Sequence, residues 1–407
     1  PKSFATSELQ HSVLSIHLPE SDIEALKAED ELNEGQPIPF RFGDEKEVDI
    51  EFDNSGQWET MTNGDRVWRL RIVSEGAISL NFQFDGFYMP EGATFHIYNG
   101  NGDNILGAYT AINNQENGDF ATYLIAGDQV TMEYYEPASV HGQGSLGLSS
   151  VVHGYRDIMN ILPNKSAGGA GACNVNVACP DGDGWENEIA GVTRLVLGGG
   201  LCSGSMINDV PESGTPYYLT ANHCIDGAGS AGQFVFNFNY QASTCTGTSG
   251  SLSQSVTGSV IRSNSASSDF ALLELNSEPP LTYETFYAGW DRSGTQPANT
   301  TGIHHPSGDI KKISKDFQAP IATTSGGASV WRVNNWDVGV TEGGSSGSPL
   351  LDPDHRIIGQ LYAGTSGCSN PNGWDVYGRF NVSWDGSNSS NRLRDWLDPN
   401  DTDTLFV

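Results

Sequence analysis

The sequence predicts an all-β protein of two parts, and three observations lead to this prediction. Glycine contributes 49 of the 407 residues, which together with abundant serine, threonine and asparagine is typical of a chain with many tight turns. Apolar residues alternate with polar or small ones in several short segments, which is the period of a strand with one buried face. All six cysteines lie beyond residue 172, so the chain divides into a part without cysteine and a part with six.

The composition excludes several classes of function. The chain has 20 Lys and Arg against 50 Asp and Glu, a formal net charge of −30. We therefore expect no nucleic-acid partner, because binding to polyphosphate needs clustered cations. Hydrophobic residues make up 37% of the chain and charged residues only 17%, which is sufficient for sizeable cores. No apolar run of about 18 residues occurs, so we expect no membrane span.

The first part is predicted to form a β-sandwich with one helix. The clearest alternation runs from Ile78 to Phe84. Further strand candidates are 66–73, 93–98, 120–125, 130–134 and 146–153. Several short strands separated by turn clusters at this spacing are typical of a sandwich. A helix is predicted near 21–31, with Ser21 as its N-cap.

The second part is also rich in predicted strands. They are 190–197, 204–208, 217–221, 234–240, 271–275, 357–361 and 376–384. One helix is predicted near 389–397, ended by Pro399. This pattern indicates a two-sheet or barrel architecture with a C-terminal helix. Between the two parts, small residues near 160–172 predict an exposed linker, the kind of segment that proteases cut readily.

Three short segments combine the residue types that acyl transfer needs. LTANHC at 219–224 ends a predicted strand in a histidine, SDFALLEL at 268–275 begins one with an aspartate, and GGSSGSP at 343–349 places a serine in a glycine-rich turn. Each segment alone has an ordinary structural explanation. Together, and in this order along the chain, they supply a nucleophile, a base and a group that orients the base.

The predicted roles follow from the chemistry of a serine hydroxyl, which is a poor nucleophile until a base takes its proton. We predict His223 as that base, Asp269 as the carboxylate that orients it and Ser346 as the nucleophile. The backbone amides of Gly344 and Ser346 are the predicted oxyanion hole, since glycine leaves room for a substrate carbonyl to approach.

Longer segments of the second part match one known family. They are CNVNVACPDGDG at 173–184, YYLTANHC at 217–224, SDFALLELN at 268–276, AGWDR at 288–292, IHHP at 303–306 and GVTEGGSSGSP at 339–349. On these segments, residues 168–407 resemble the lysyl endopeptidases, bacterial members of the chymotrypsin-like serine proteases. The resemblance implies a chymotrypsin-like double β-barrel with a C-terminal helix, and a serine endopeptidase that cleaves on the carboxyl side of lysine.

The cysteines indicate where the protein works. An even number of cysteines without the close pairs of a zinc site favours three disulfides and an oxidising, extracytoplasmic compartment, the alternative being six reduced thiols in the cytosol. We therefore expect a secreted protein, either extracellular or periplasmic. The family resemblance implies the pairs Cys173–Cys368, Cys179–Cys245 and Cys202–Cys224.

The resemblance also assigns the residue that selects the substrate. Asp375 lies in a D-x-Y-G-R frame that matches the family's lysine-binding aspartate, and a desolvated carboxylate strongly favours a cationic side chain. Two departures from the family pattern put strict preference for lysine over arginine in doubt. Tyr362 stands where the family has a histidine, and the stretch 322–327 is short and lacks the family's tryptophan.

The first part is predicted to be a pro-domain, with domain bounds of 1–165 and 166–407. Lys165 and Ser166 lie near the family's mature start, so a lysine-specific enzyme could release the first part itself. In digestive proteases the new N-terminus pairs with an aspartate just before the nucleophile, but here that residue is the uncharged Ser345. Our hypothesis is that the first part assists folding and covers the site. The alternative is a carbohydrate- or surface-binding sandwich.

No cofactor and no metal are predicted. DGDGWE at 181–186 resembles a calcium loop in composition but lacks its ligand spacing, and His304 and His305 have no supporting ligand frame. The expected partners are peptides with lysine, and as an alternative arginine, before the scissile bond, together with the intramolecular pro-domain of a monomer. Two other functions stay open, namely an arginine- or dual-specific protease of the same fold and a non-catalytic adhesion protein.

Overall fold

The structure, a computed structural model, describes residues 1–9, 12–100, 102–162 and 169–407. Over these residues, the secondary structure is mainly strands, in four sheets, with five α-helices and several short 3-10 turns. Among the described residues, no helix combines the length and apolar character needed to cross a membrane. The predicted processing site, Lys165 and Ser166, lies outside the described residues.

A β-sandwich of two sheets forms the N-terminal half. The strands of this half are β1 (Ser15–His17), β2 (Phe40–Arg41), β3 (Gly43–Glu51), β4 (Gln57–Thr60), β5 (Arg66–Val73), β6 (Ser79–Phe84), β7 (Thr94–Asn99), β8 (Ile105–Tyr109), β9 (Phe120–Ala121), β10 (Ile125–Ala126), β11 (Gln129–Glu136) and β12 (Gly147–Gly154). All except β2 belong to the sandwich. One sheet has the order β1-β5-β11-β7-β8 with β4 beside β5, and the other has the order β10-β6-β12-β3 with β9 beside β6. Trp68, Phe82, Phe95 and Met132 are fully buried between them.

The C-terminal half contains two further eight-stranded sheets. Its strands are β13 (Val175–Asn176), β14 (Val192–Leu197), β15 (Gly200–Met206), β16 (Tyr217–Ala221), β17 (Val235–Asn237), β18 (Ser255–Thr257), β19 (Ser259–Ser265), β20 (Phe270–Leu275), β21 (Thr300–His304), β22 (Lys312–Asp316), β23 (Ile321–Ser325), β24 (Ala328–Val333), β25 (Pro349–Leu351), β26 (Ile357–Gly364) and β27 (Asp375–Arg379). The first sheet has the order β18-β17-β14-β15-β16-β20-β19, joined by β2, and the second has the order β13-β22-β21-β25-β26-β27-β24-β23. The prediction of an all-β, chymotrypsin-like fold is confirmed.

One apolar core joins the two sheets of the C-terminal half. Val192 and Leu272 from the first sheet pack in the same cluster as Ile303 and Leu351 from the second. Trp290, which is fully buried, lies in this cluster as well. This core holds the two sheets together, so loops from both can meet at one site.

The helices are α1 (Ile23–Leu32), α2 (Glu186–Gly191), α3 (Asn222–Ile225), α4 (Phe380–Ser383) and α5 (Arg394–Leu397). Two predictions about helices need correction. The N-cap of α1 is Asp22, whose side chain accepts from the Ala25 amide at 3.0 Å, rather than Ser21. The C-terminal helix is a single turn, because Asn388 and Asn391 cap local turns in the preceding segment and so compete with helix formation.

Several predicted strands differ from the observed ones in where they begin or end, or in being divided in two. Segment 190–197 begins within α2, segment 376–384 ends as α4, and segment 120–125 forms the two short strands β9 and β10. β6 was predicted to have one buried face, yet both faces are buried. Its polar face meets the C-terminal half, where Asn81 Nδ2 donates to Gly198 O at 3.2 Å.

The two halves share a buried interface. An apolar cluster combines Phe42, Tyr123 and Val152 of the N-terminal half with Val196 and Leu201 of the C-terminal half. The buried guanidinium of Arg194 lies beside this cluster. It donates to the backbone carbonyls of Ile158 and Gly308 and to the Tyr123 hydroxyl, so both halves supply acceptors for its charge. Burial of this kind favours one fixed arrangement of the halves.

Candidate active site

The register of two strands brings His223 and Asp269 together. β16 and β20 are antiparallel, and Ala221 at the end of β16 pairs with Phe270 at the start of β20. Asn222, the residue after β16, therefore lies opposite Asp269, the residue before β20. The Asn222 amide donates to Asp269 O at 2.9 Å. His223 follows in the first turn of α3, so a strand end positions each side chain.

His223 and Asp269 make two hydrogen bonds. The imidazole Nδ1 is 2.8 Å from Asp269 Oδ2, and the backbone N–H of His223 donates to Oδ1 at 2.9 Å. Both side chains are largely shielded from solvent. Burial raises the pKa of Asp269, and the hydrogen bonds and charge of His223 offset part of that rise. Asp269 has φ +55°, a left-handed conformation that costs about 1 kcal/mol or more and is common at functional sites.

Ser346 is hydrogen-bonded to β15, the neighbour of the strand β16 that leads to His223. The Ser203 amide on β15 donates to Ser346 O at 2.8 Å, and the Gly347 amide donates to Leu361 O at 2.8 Å. Gly347 has φ +80°, and a Cβ there would lie 2.2 Å from Thr220 Oγ1 and 2.9 Å from the Ala221 amide. Only glycine fits at this position, so the loop packs closely against the end of β16.

The Ser346 hydroxyl makes no hydrogen bond with His223 in the part of the chain that the structure describes. His223 Nε2 lies 3.8 Å from Cys224 Sγ instead. In substrate-free enzymes the bond between nucleophile and base is often long and tightens only when substrate binds. The structure thus brings His223 and Asp269 into direct contact and places residues 343–348, which we call the Ser346 loop, beside them.

Two backbone amides of the Ser346 loop are free to bind an anion. Neither the Gly344 nor the Ser346 N–H donates a hydrogen bond to another described residue, whereas the Ser345 amide between them donates to Glu342 O at 3.0 Å. Gly344 has φ +90° and lies close to the backbone of His305 and Gly308. These two amides are the ones that the sequence predicted as an oxyanion hole, and unpaired amides in one loop can stabilise negative charge.

Three disulfides brace the C-terminal half. They are Cys173–Cys368, Cys179–Cys245 and Cys202–Cys224, the pairs implied by the family resemblance. Cys202–Cys224 joins β15 to the turn that carries His223, so it fixes that turn against the strand that holds Ser346. Cys202, His223 and Cys224 bring possible metal-ligand atoms together, but the two sulfurs share a disulfide and are not thiolates.

Asp375 lies fully buried at the start of β27. Its Oδ2 accepts three hydrogen bonds, from Trp336 Nε1 at 2.6 Å, Thr341 Oγ1 at 2.8 Å and Ser366 Oγ at 2.6 Å. Its Oδ1 has no partner among the described residues. Burial raises the pKa of Asp375, and these hydrogen bonds oppose the rise.

Sequence reasoning did not identify the partners of Asp375. Thr341 lies within the GVTEGGSSGSP segment, five residues before Ser346, and so was visible as part of the motif. Trp336 and Ser366 come from separate loops and had no sequence signal. Gly364 was also missed: a Cβ there would lie 1.8 Å from Asp375 Oδ1, so only glycine fits beside this buried oxygen.

Tyr362, the residue that departs from the family pattern, lies beside His223. The two ring centroids are 6.0 Å apart. Gly326, in the turn between β23 and β24, approaches the Tyr362 hydroxyl so closely that a Cβ at Gly326 would lie 2.5 Å from it. Tyr362 thus fills the space between His223 and this hairpin.

A segment of the N-terminal half crosses the same region, and we call residues 35–43 the strap. Gly35 lies next to Gly364, since a Cβ at Gly35 would be 3.3 Å from Gly364 O, and the Phe40 ring packs against Gly343. β2 within the strap pairs antiparallel with β15. The strap therefore contacts the neighbours of both Asp375 and Ser346.

Helix α1 anchors the strap. Arg41 Nε donates to Asp30 Oδ1 at 2.8 Å, and Arg41 also donates to Glu29 Oε2 at 3.0 Å. Asp30 accepts further hydrogen bonds from Tyr155 and Arg156 on the body of the sandwich. The partly buried Asp30 therefore links the strap, α1 and the sandwich into one unit.

Comparison with known proteins identifies the family of this chain. A model of the lysyl endopeptidase C-terminal domain matches residues 167–378. This chain belongs to the lysyl endopeptidase family. A lysyl endopeptidase of Pseudomonas aeruginosa is 30% identical over 340 residues, which cover 77% of this chain and 72% of that protein. As a member of the family, the chain is a serine protease.

Solved structures of bacterial proteases are similar to this family member at low identity. Protease Anisep from Arthrobacter nicotinovorans is 14% identical, with a TM-score of 0.35, covering 51% of this chain and 93% of that one. The MamO protease domain from Magnetospirillum magneticum is 11% identical, with a TM-score of 0.34, covering 49% of this chain and 96% of that one.

Proposed function

We propose that this family member is an endopeptidase that hydrolyses peptide bonds after lysine, using Ser346, His223 and Asp269. Ser346 attacks the scissile carbonyl while His223 takes the hydroxyl proton, and His223 then gives that proton to the leaving amine. Water then attacks the resulting acyl-enzyme while His223 takes its proton, and His223 returns that proton to the Ser346 oxygen as the acyl group leaves. Asp269 orients the imidazole and stabilises its charged form, and the Gly344 and Ser346 amides bind the oxyanion.

The observation that carries the choice of lysine is the single free oxygen of Asp375. A guanidinium forms its strongest pair with both oxygens of a carboxylate, whereas an ammonium is a compact charge that needs one. Because Oδ2 already accepts three hydrogen bonds and Oδ1 accepts none from the described residues, the carboxylate fits an ammonium better. A buried carboxylate also disfavours neutral side chains, since they leave it unpaired.

The lysines of the C-terminal half support the same specificity. Beyond residue 168 this half has eight arginines but only three lysines, and two of these, Lys311 and Lys312, are buried. The third, Lys315, is half-buried within β22, which pairs on both sides. A protease needs its substrate extended and accessible, so each of these bonds is protected from self-cleavage.

A lysine placed on an exposed loop should therefore make the protein cut itself. Ser249 lies on an exposed loop between β17 and β18. We expect Ser249→Lys to be cleaved after residue 249 during incubation at micromolar concentration, and Ser249→Arg to persist at least about tenfold longer. Mass spectrometry of the fragments measures both rates. Equal cleavage of the two variants would indicate dual specificity, and no cleavage of either in an active preparation would contradict the accessibility argument.

The experiment that tests the proposed function is digestion of a peptide library, with the residue before each cut identified by mass spectrometry. Cuts after lysine support the proposal. Cuts after arginine as well would favour the dual-specific alternative, and the absence of any cut together with no labelling by an organophosphorus probe would favour a non-catalytic protein.

We also propose that the N-terminal half is a pro-domain, with the chain cut after Lys165, and that it keeps the uncut protein inactive. The strap lies against Gly343 and Gly364, neighbours of the two groups that a substrate must reach. The shared apolar cluster provides a surface on which the C-terminal half can assemble, which supports a role in folding. The three disulfides support export to an oxidising compartment, and we expect a monomer.

Blocking the cut should keep the protein inactive, and loosening the strap should restore activity. We expect the full chain with Lys165→Gln to hydrolyse a small lysyl substrate at least about tenfold more slowly than the processed protein. Adding Phe40→Ala removes the ring that packs on Gly343 and should raise that rate at least about fivefold. Phe317→Ala, at a ring that is 61% exposed, is the matched control. Full activity of the Lys165→Gln chain would contradict the inhibitory role.

A further inference from the structure

His304 is a fully buried imidazole with no role in the chemistry described so far. It ends β21 and has no exposed surface. Its Nδ1 lies 2.7 Å from Ser345 Oγ, and its Nε2 lies 3.0 Å from Ser314 Oγ. Burial, together with the nearby charge of Lys312, lowers the pKa of His304 to about 3. The ring is therefore neutral at any pH at which a serine protease of this kind works.

The surrounding hydrogen bonds determine which ring nitrogen carries the proton. Ser314 Oγ donates its only proton to Val340 O at 2.9 Å, so it must accept from His304 Nε2–H. Nδ1 is then a lone pair, and the Ser345 hydroxyl must donate to it. The Glu342 amide in turn donates to Ser345 Oγ at 3.3 Å. Each donor in this series of hydrogen bonds has one acceptor, so the direction of every bond is defined.

This series of hydrogen bonds begins at Glu342 and ends at Val340, both in the segment that leads into the Ser346 loop. Val340 and Glu342 precede the loop, and Ser345 lies between Gly344 and Ser346, whose amides are the free ones. The orientation of Ser345 therefore influences the direction of both amides. Two further bonds hold the same loop, from the Ser203 hydroxyl to Gly344 O at 2.9 Å and from the Ser307 amide to Gly343 O at 2.6 Å.

We propose that His304 is a positioning residue that holds Ser345, and through it the oxyanion-binding amides of Gly344 and Ser346, in the active arrangement. This inference rests on the proposed function, because it assumes that these amides bind the oxyanion. In digestive proteases, an ion pair between the new N-terminus and the aspartate before the nucleophile holds this loop. Here the neutral imidazole of His304 holds the loop through Ser345. The loop is consequently assembled before the chain is cut, and release of the N-terminal half only uncovers it.

The test is the kinetics of His304→Ala, His304→Asn and Ser345→Ala in the processed protein. We expect His304→Ala to lower kcat for a lysyl ester or amide about 100-fold with KM changed less than about threefold, because loss of one oxyanion-hole donor costs 10²–10³ in kcat. Asparagine can place a carbonyl oxygen where Nδ1 lies, so kcat of His304→Asn should be at least tenfold higher than kcat of His304→Ala. His355→Ala, at a partly exposed histidine in the same half, is the control.

A second readout separates positioning from a general loss of structure. A lysyl aldehyde forms a tetrahedral adduct that uses the oxyanion hole, whereas free lysine amide bound as an inhibitor does not. The aldehyde should bind about 100-fold more weakly to His304→Ala, with inhibition by lysine amide unchanged. Ser345→Ala removes the same bond from the other partner, so it carries the test if His304→Ala does not fold, and the double variant should be no worse than the worse single one.

The outcomes distinguish this inference from the proposed function. A folded His304→Ala or Ser345→Ala protein with unchanged kcat and unchanged aldehyde affinity overturns the inference while leaving the protease intact. Equal losses for aldehyde and lysine amide also overturn it, because they would indicate a general disturbance. A wild-type protein that neither cleaves lysyl substrates nor binds the aldehyde would instead overturn the proposed function.

Discussion

Replacing Ser346 with alanine is expected to lower kcat for a lysyl substrate by roughly 10⁶-fold, the largest effect that a single substitution in this chain should have. The acyl-enzyme cannot form without the hydroxyl, and the remaining His223 and Asp269 have no nucleophile to activate. Steady-state hydrolysis of a lysyl ester measures the loss, and labelling by an organophosphorus probe should disappear together with it.

Ser348→Ala is the matched control for this prediction. Ser348 lies in the same loop, is fully buried, and its hydroxyl makes no hydrogen bond with another described residue, so its removal should change kcat less than about threefold. If Ser346→Ala still cleaves lysyl substrates within tenfold of the wild type, or still reacts with the probe, Ser346 is not the nucleophile.

The second large effect is expected from Asp375→Asn. A lysine side chain would then be buried against a neutral amide, and an unpaired charge in a buried site costs several kcal/mol. We expect kcat/KM for lysyl substrates to fall by about 10³-fold or more, while the rate of labelling by a small neutral organophosphorus probe stays within about threefold. This difference arises because Asp375 selects the substrate and does not take part in bond making.

Asp354→Asn removes the same charge at an exposed position and should leave kcat/KM within twofold. Thermal unfolding of both variants should show that the protein stays folded, since a buried carboxylate with a raised pKa contributes little to stability. A lysyl substrate that is cleaved nearly as fast by Asp375→Asn would show that another group binds the ammonium.

Several features were within reach of the sequence because they depend on local patterns. The predicted strands 66–73 and 217–221 match β5 and β16 residue for residue, since short runs rich in apolar and β-branched or aromatic residues are typical of strands. The helix near 21–31 was recognisable from its residues, but the choice between Ser21 and Asp22 as its cap was not, because both residue types cap well and only the turn geometry selects one.

The face that β6 turns toward the C-terminal half lay beyond sequence reasoning. Asn81 and Gln83 read as solvent-facing residues, and in a single domain they would be. They are buried because the two halves pack together, a contact between segments that are distant along the chain. A period-two pattern reports which face is polar and cannot report whether another surface covers it.

Sequence by itself determined the class of the fold, its division into two halves, the family, and the residue types that the proposed chemistry needs. These follow from periodicity, composition and short motifs, all of which are local properties of a chain. Only the tertiary structure decided that Asp375 keeps one free oxygen, that the strap reaches Gly343 and Gly364, and that His304 supports Ser345. Each of these depends on side chains from separate strands and loops meeting at one point, and such meetings are set by packing, which no local pattern encodes.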